Sequence, residues 1–229
     1  IGSGLVGSEM CIRDRASIND FYPYHYATGE EAWLLYPFWE HYLITEDQGF
    51  LKNRLFPLLK CMGDFYEDFL KYKDEEGHYI IAGSVSPENQ PSNLRVSLLN
   101  NSAFDLSGAR FLLSTLVKVC DLLGEEQGIN GGKVRWQRLL NELPPYRINK
   151  DGAIKEWGWS GLEESYNHRH SSHLMMVWPY REFSEDKTPE LYKAAHRALQ
   201  MRDQYNYENA GHGYLHACLL YTSDAADEA

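Results

Sequence analysis

Cysteine is scarce in this sequence. The 229 residues hold four, and Cys11 and Cys218 fall in terminal stretches set aside below. Cys61 and Cys120 sit inside helical patterns and read as core residues, not as a disulfide framework. Compartment is therefore open on composition. No apolar run approaches the roughly 20 residues of a membrane span. Positive charge is also short: 22 Lys and Arg against 33 Asp and Glu give a formal net charge of −11. An acidic chain without a basic patch is a poor partner for nucleic acid. There is no Gly-rich phosphate loop, no alternation of strands with helices and no short repeat, so the signature of nucleotide-binding α/β folds is missing.

The two ends do not read like the middle. Residues 1–15 (IGSGLVGSEMCIRDR) and 218–229 (CLLYTSDAADEA) resemble translated sequencing adapter and are expected to be non-native tails. Residues 1–15 lack the basic start and continuous apolar core of a signal peptide. The domain is expected to occupy residues 16–217, enough for one sizeable core.

What is abundant is helix pattern and aromatic surface. Glu30 to Thr45 carries an apolar stripe that Pro37 is expected to kink or divide. After a cap at Thr45-Glu46-Asp47, apolar residues recur at helical spacing from Phe50 to Leu70, with Pro57 near the first turn of the second of two helices. Asn101-Ser102 opens a helix that stops at Gly124. Lys133 to Leu143 is a shorter one, and Asp151-Gly152 marks a hairpin between Tyr146 and Trp157. Thr188-Pro189-Glu190 is a strong helix start that runs to about Met201, and a last helix is expected near Gly213. The sum is all-α: helical hairpins in a bundle, a solenoid or a closed double ring. Six tryptophans and sixteen tyrosines suit a sugar's flat C–H faces, and equally suit a packed helical core.

The polar chemistry gathers in two places. Gly83-Ser84-Val85-Ser86-Pro87-Glu88-Asn89-Gln90-Pro91 holds one carboxylate between two prolines. Each proline biases its predecessor towards extended geometry, so Ser86 and Gln90 should be non-helical and Glu88 should stand on a stiffened loop. It is either a presented functional group or a solvated loop glutamate. Asn167-His168-Arg169-His170-Ser171-Ser172-His173-Leu174 is the densest polar cluster, and the apolar residues after it suggest a helix mouth facing a pocket. Its imidazoles can hydrogen-bond sugar hydroxyls or orient a carboxylate. They can also ligate a metal with His212 and His216, although no His-Glu-x-x-His spacing occurs, or simply hold the fold together.

These pieces occur in a familiar order. Trp39-Glu40-His41-Tyr42, Phe50-Leu51 with Pro57-Leu58-Leu59-Lys60, Ser86-Pro87-Glu88-Asn89, Leu143-Pro144-Pro145, Glu156-Trp157 and the His168–Leu174 segment resemble glycoside hydrolase family 95. The resemblance runs from Glu31 to Gln200. It implies a partial (α/α)6 barrel and inverting hydrolysis of terminal α-L-fucosides or α-L-galactosides, with a carbohydrate substrate, no nucleic acid or membrane partner and no cofactor. A bacterial secreted or periplasmic protein is also implied.

Carried over residue by residue, Glu88 matches the general acid. His168 and His170, with Arg169 and His173 beside them, match the sugar-binding segment, and Trp33 falls in the aromatic pocket stretch. Asn89 and Trp157 lie in matching motifs and join the expected substrate-binding set. Glu40, Asp105 and Glu156 match recurrent carboxylates; Glu40 and Glu156 are expected at the substrate, and Asp105 has no assigned role. The family's asparagine pair and base aspartate fall outside residues 16–217. Pro37 and Gly211-His212-Gly213-Tyr214 depart from the usual pattern.

The implied chemistry needs a protonated carboxyl at the leaving oxygen and an ionised carboxylate roughly 6.5–9.5 Å away with water between them. An (α/α)-barrel phosphorylase, in which phosphate replaces the water, would need a basic pocket that Arg169 and Lys155 alone do not establish. A sugar-binding or scaffold protein on the same barrel is the non-enzymatic alternative.

Overall fold

The computed structural model describes residues 26–125 and 128–205, together with Cys218. Both proposed tails (Cys218 apart), the helix expected near Gly213, and His212 and His216 lie outside the described residues. The fold is all-α. Its main helices are α1 (Gly29–Thr45), α2 (Phe56–Phe69), α3 (Ala103–Leu123), α4 (Gly128–Asn141) and α5 (Pro189–Tyr205). A two-stranded antiparallel ribbon, β1 (Ala82–Ser84) with β2 (Leu99–Asn100), lies between α2 and α3 in the chain.

Local chemistry explains most boundaries. The Asp47 side chain accepts from the Phe50 N–H at 3.0 Å, starting the helical run that reaches α2. That run passes through a π-helical turn at Leu51–Leu55 before Pro57 enters the first turn of α2. Ser102 caps α3 by accepting from Asp105 N–H at 3.1 Å, and Gly124 ends it in the left-handed region at φ 66°. There only glycine avoids a steric cost. The hairpin turns on Gly152 at φ 78°, and Asn149 Oδ1 accepts from the Asp151 and Ala153 N–H groups at 2.9 and 3.1 Å.

α3 is the central helix. It packs against α1, α2 and α4, and Leu112, Leu113 and Leu116 have no exposed surface. Truncating any of these to alanine would cost about 2–5 kcal/mol through lost transfer energy and the cavity left behind. α5 joins a second apolar cluster, laying Ala194, Ala195, Ala198 and Leu199 against Ile154, Leu174, Met176 and Phe183.

Three expectations need correction. Pro37 does not divide its helix, because α1 runs unbroken from Gly29 to Thr45; its packing on α3 outweighs the one hydrogen bond a proline removes. Cys61 is exposed, whereas Cys120 is buried as expected. The segment after His170 forms only a 3₁₀ turn, Ser172–Leu174. Pro179 follows closely and has no N–H to return to the Met175 carbonyl, so a longer helix is cut short.

Gly108 sets how closely α1 and α3 approach. A Cβ there would lie 2.8 Å from the Gly29 Cα and 3.2 Å from the Ala32 Cβ. Backbone cannot yield as a flexible side chain does, so Gly108→Ala should cost about 1–3 kcal/mol by overpacking. A thermal melt would register this as a lower Tm. An unchanged Tm would mean that the contact between α1 and α3 is looser than its geometry.

Candidate active site

The Glu88 loop is held from two sides by buried carboxylates. On one side Asp105, in the first turn of α3 and fully buried, accepts from Ser84 Oγ at 2.7 Å and Val85 N–H at 2.9 Å. Its other oxygen accepts from Gly29 N–H at the start of α1, at 2.7 Å. Burial pushes the Asp105 carboxyl up, and the hydrogen bonds from Ser84, Val85 and Gly29 oppose that push. One side chain thus joins the strand before the loop to the starts of two helices.

On the other side stands Glu156, 2% exposed. Its backbone is fixed first: its carbonyl accepts from Ala103 N–H at 2.8 Å, at the start of α3. Its side chain then reaches the loop. Oε1 accepts from Ser86 Oγ at 2.7 Å and Oε2 from Asn89 Nδ2 at 2.8 Å. Within the loop, Asn89 N–H closes a turn onto the Ser86 carbonyl at 2.7 Å. Ser172 Oγ donates to the Pro87 carbonyl at 2.5 Å.

A buried carboxylate needs compensation. Arg202 on α5 supplies it, placing Nη2 2.9 Å from Glu156 Oε2 and Nη1 2.7 Å from the Ser165 carbonyl. His173 Nδ1 lies 3.9 Å from Glu156 Oε1 and 3.3 Å from Arg202 Nη2. Burial pushes the Glu156 carboxyl up, but Arg202, His173 and the Ser86 and Asn89 hydrogen bonds outweigh it and hold the group below the usual range.

Glu88 differs from both. Its side chain keeps 35% of its surface, and its Oε2 is paired with Arg169, itself 37% exposed. His168 and His170 meet edge to face at 5.2 Å. His170 N–H donates to His168 Nδ1 at 3.1 Å, which leaves Nε2–H as the donor of a neutral His168 ring. Burial favours that neutral form and outweighs the pull of Glu156. A ring whose Nδ1 is engaged and whose Nε2 is a donor suits a hydroxyl better than a metal. Elsewhere, Asp74, Glu76 and His78 bring ligand atoms within 4.8 Å of one another on a partly exposed loop.

Comparison with known proteins shows the family. Residues 6–225 match the description "Glycosyl hydrolase family 95 catalytic domain". The chain belongs to glycosyl hydrolase family 95. It is 33% identical over 188 residues to alpha-L-fucosidase 2 of Arabidopsis thaliana, covering 77% of this chain and 22% of that protein. It is 22% identical over 133 residues to a periplasmic/secreted acid trehalase of Candida glabrata, covering 58% of this chain and 10% of that protein. The chain therefore spans about a fifth or less of the length of these relatives.

Within this family 95 chain the expected site residues separate by environment. Glu88, Arg169, His168 and His170 are partly exposed, and Arg169 meets Glu88 on the loop. Asn89, Glu156 and His173 are buried and committed to protein partners. Trp157 does not fit the substrate-contacting role expected of it: it has no exposed surface, because its residue bridges to Ser102 at the start of α3 and the ring packs inward. Trp33 stands on α1 and is 43% exposed. Glu40, also on α1, accepts from the Tyr36 hydroxyl.

Sequence reading missed Arg202 and Glu164, and it placed Ser86 on the loop without a role at the site. For Arg202 a signal existed, since it is in phase with Ala194, Ala195, Ala198 and Leu199 on the buried stripe of α5. A charge at a core position marks a buried partner.

Glu164 is a further carboxyl of this region, beside Glu156. Its Oε2 accepts from Glu156 N–H at 2.9 Å, and Lys155 Nζ lies 4.0 Å from its Oε1. Burial, and then the Glu156 charge, push its carboxyl up to about 8. In the unfolded chain the group ionises near 4.5. Folding therefore holds a proton that the unfolded state releases, and stability falls as pH rises from about 4.5 to about 8. Glu164→Gln removes this dependence while keeping the acceptor. Melts from pH 5 to 9 should show the variant gaining on the parent as pH rises, by up to about 4 kcal/mol. Parallel curves would show that Glu164 is ionised throughout.

Proposed function

We propose that this segment carries the acid half of an inverting glycosidase site, with Glu88 as general acid and terminal α-L-fucosides or related sugars as substrates. The observation that carries the reading is the contrast among the carboxylates near the loop. Glu156 and Asp105 are fully engaged in holding it, whereas Glu88 is partly exposed at its turn. Family 95 membership and similarity to a protein named alpha-L-fucosidase 2 support the sugar class. Arg169 supplies N–H donors at Glu88, and the partly exposed His168 and His170 flank it in the chain, a polar complement of the kind ring hydroxyls require.

In the chemistry proposed, Glu88 gives its proton to the glycosidic oxygen as the bond breaks. A carboxylate contributed from outside residues 16–217 activates water on the opposite face. Arg169 pairs with the ionised Glu88 when no sugar is bound. In this scheme sugar hydroxyls take over the Arg169 donors, and Glu88 takes up a proton from solvent before it donates to the glycosidic oxygen. No metal or organic cofactor enters the scheme.

The test is a hydrolysis assay on an aryl α-L-fucoside with the enzyme that carries this segment, following the anomer released by NMR. The β-anomer should appear first, without added phosphate. A strict phosphate requirement would make the protein a phosphorylase. Sugar binding without turnover would make it a binding module on the same scaffold.

A further inference from the structure

We infer that Glu156 is a positioning residue, which fixes the direction of the Glu88 side chain by gripping Ser86 and Asn89 on its two oxygens while Arg202 balances its charge. The inference rests on the reading of Glu88 as general acid and assigns Glu156 and Asn89 a role away from the sugar.

Three observations carry it. First, Ser86 and Asn89 bracket Glu88, and each meets a different oxygen of the same carboxylate, at 2.7 and 2.8 Å. A rigid planar group bonded at both ends of a four-residue turn fixes the turn's separation and tilt together. Second, Glu156 is 2% and Asn89 4% exposed, and Asn89 Nδ2 also donates to the Ser165 carbonyl at 3.0 Å. These groups are occupied by protein, so a sugar hydroxyl would have to displace existing bonds to reach them. Third, Arg202 arrives from a separate helix and binds both Glu156 and the Ser165 carbonyl. It thus ties Glu156 to the same irregular segment that Asn89 grips. Ser172 completes the hold at the Pro87 carbonyl, 2.5 Å away, so the backbone beside Glu88 is held on three sides.

General acid catalysis depends on the donor lying within hydrogen-bond reach of the leaving oxygen, and a displacement of about 1 Å can cost 10²-fold. Loosening the grip should therefore lower kcat for substrates that need protonation. Substrate affinity, set elsewhere, should hold.

The experiment uses the enzyme that carries this segment, with Asn89→Ala and Glu156→Gln each compared with Glu88→Gln. Each is assayed on a glycan with a poor leaving group and on a glycosyl fluoride, which needs little protonation. Asn89→Ala leaves the Arg202–Glu156 pair intact, so it decides the matter if Glu156→Gln does not fold. On the glycan, kcat should fall roughly 10- to 100-fold for Asn89→Ala. KM should stay within about threefold, as expected when an interaction made only in the transition state is lost. The fluoride should be turned over at close to the parent rate. A rise in KM with kcat unchanged would place Asn89 or Glu156 at the sugar, and unchanged kinetics in both variants would make the grip structural only; either result overturns the inference. Glu88→Gln separates the two levels. If it shows no leaving-group dependence, the acid assignment fails. If it does and Asn89→Ala does not, the positioning role alone fails.

Discussion

Glu88→Gln, in the enzyme that carries this segment, should lose on the order of 10²–10⁴-fold in kcat on a natural glycan, the usual contribution of general acid catalysis. The amide keeps the shape of the side chain and can still accept from Arg169, which pairs with Glu88 here. What it lacks is the proton. A sugar or alkoxide leaving group departs poorly as an anion, so the loss falls on bond cleavage. A glycosyl fluoride departs without help, and its turnover should fall far less. Substrate affinity should barely change, because the surrounding donors are untouched. The alkaline limb of the pH–rate profile should vanish in the variant, since that limb reports deprotonation of the acid. Equal losses on both substrates with the limb intact would instead make Glu88 a positioning group. The engaged state of Glu156 makes it a weak replacement, because Ser86, Asn89 and Arg202 already occupy it.

Arg202→Met should destabilise the fold by about 3–5 kcal/mol, the cost of leaving a buried charge without its partner. Side-chain exposures of 4% for Arg202 and 3% for Glu156 leave water little access to compensate. For a chain of this size the loss corresponds to a Tm decrease on the order of 10 °C. The double variant Glu156→Gln/Arg202→Met removes both charges and should recover most of it, because no uncompensated charge is then left buried and the amide can still bond Ser86 and Asn89. The sign of the pH dependence follows from the Glu156 carboxyl lying below its usual range. Its contribution is complete above the unfolded value near 4.5 and is lost as pH falls through the folded value. The gap between parent and Arg202→Met should therefore narrow in acid. Thermal melts of the two variants across pH 3 to 7 would show this. A double variant as unstable as the single one would mean that Arg202 contributes packing, not charge.

Local chemistry in the sequence foretold the elements whose ends are set locally. Ser102 and Gly124 bound α3, Pro189 opens α5, and Asp151-Gly152 turns the hairpin. Each boundary is decided by a cap, a fixed φ or a left-handed residue, and those are properties of one or two side chains. Pro37 misled because its local cost is real but small beside the packing of a whole helix face. The site was legible in its parts and not in its roles. Glu88, Glu156 and His173 are all polar residues in short motifs, and spacing cannot say which will be buried. Burial depends on α5, whose Arg202 lies 46 residues from Glu156. Trp157 shows the same limit, for an aromatic that suits a sugar face suits a core equally well, and only tertiary packing decides. Family resemblance supplied Glu88 as an acid, but the division between gripping and presented carboxylates came from hydrogen bonds.

The distances along the chain that close this site also set when it can close. Ser86 and Asn89 meet Glu156 across 70 and 67 residues, and Arg202 meets it across a further 46. Contacts of such high sequence separation form late, because loop closure must precede the energy they return. At typical rates of synthesis, Arg202 follows Glu88 out of the ribosome by roughly ten seconds. Until then Glu156 lacks its Arg202 counter-charge. The hold on the Glu88 loop is therefore complete only once Arg202 has emerged, and it is among the last features the growing chain acquires. A polypeptide arrested short of Arg202 would keep the helices that local caps define and still lack the charge balance behind the Glu88 loop.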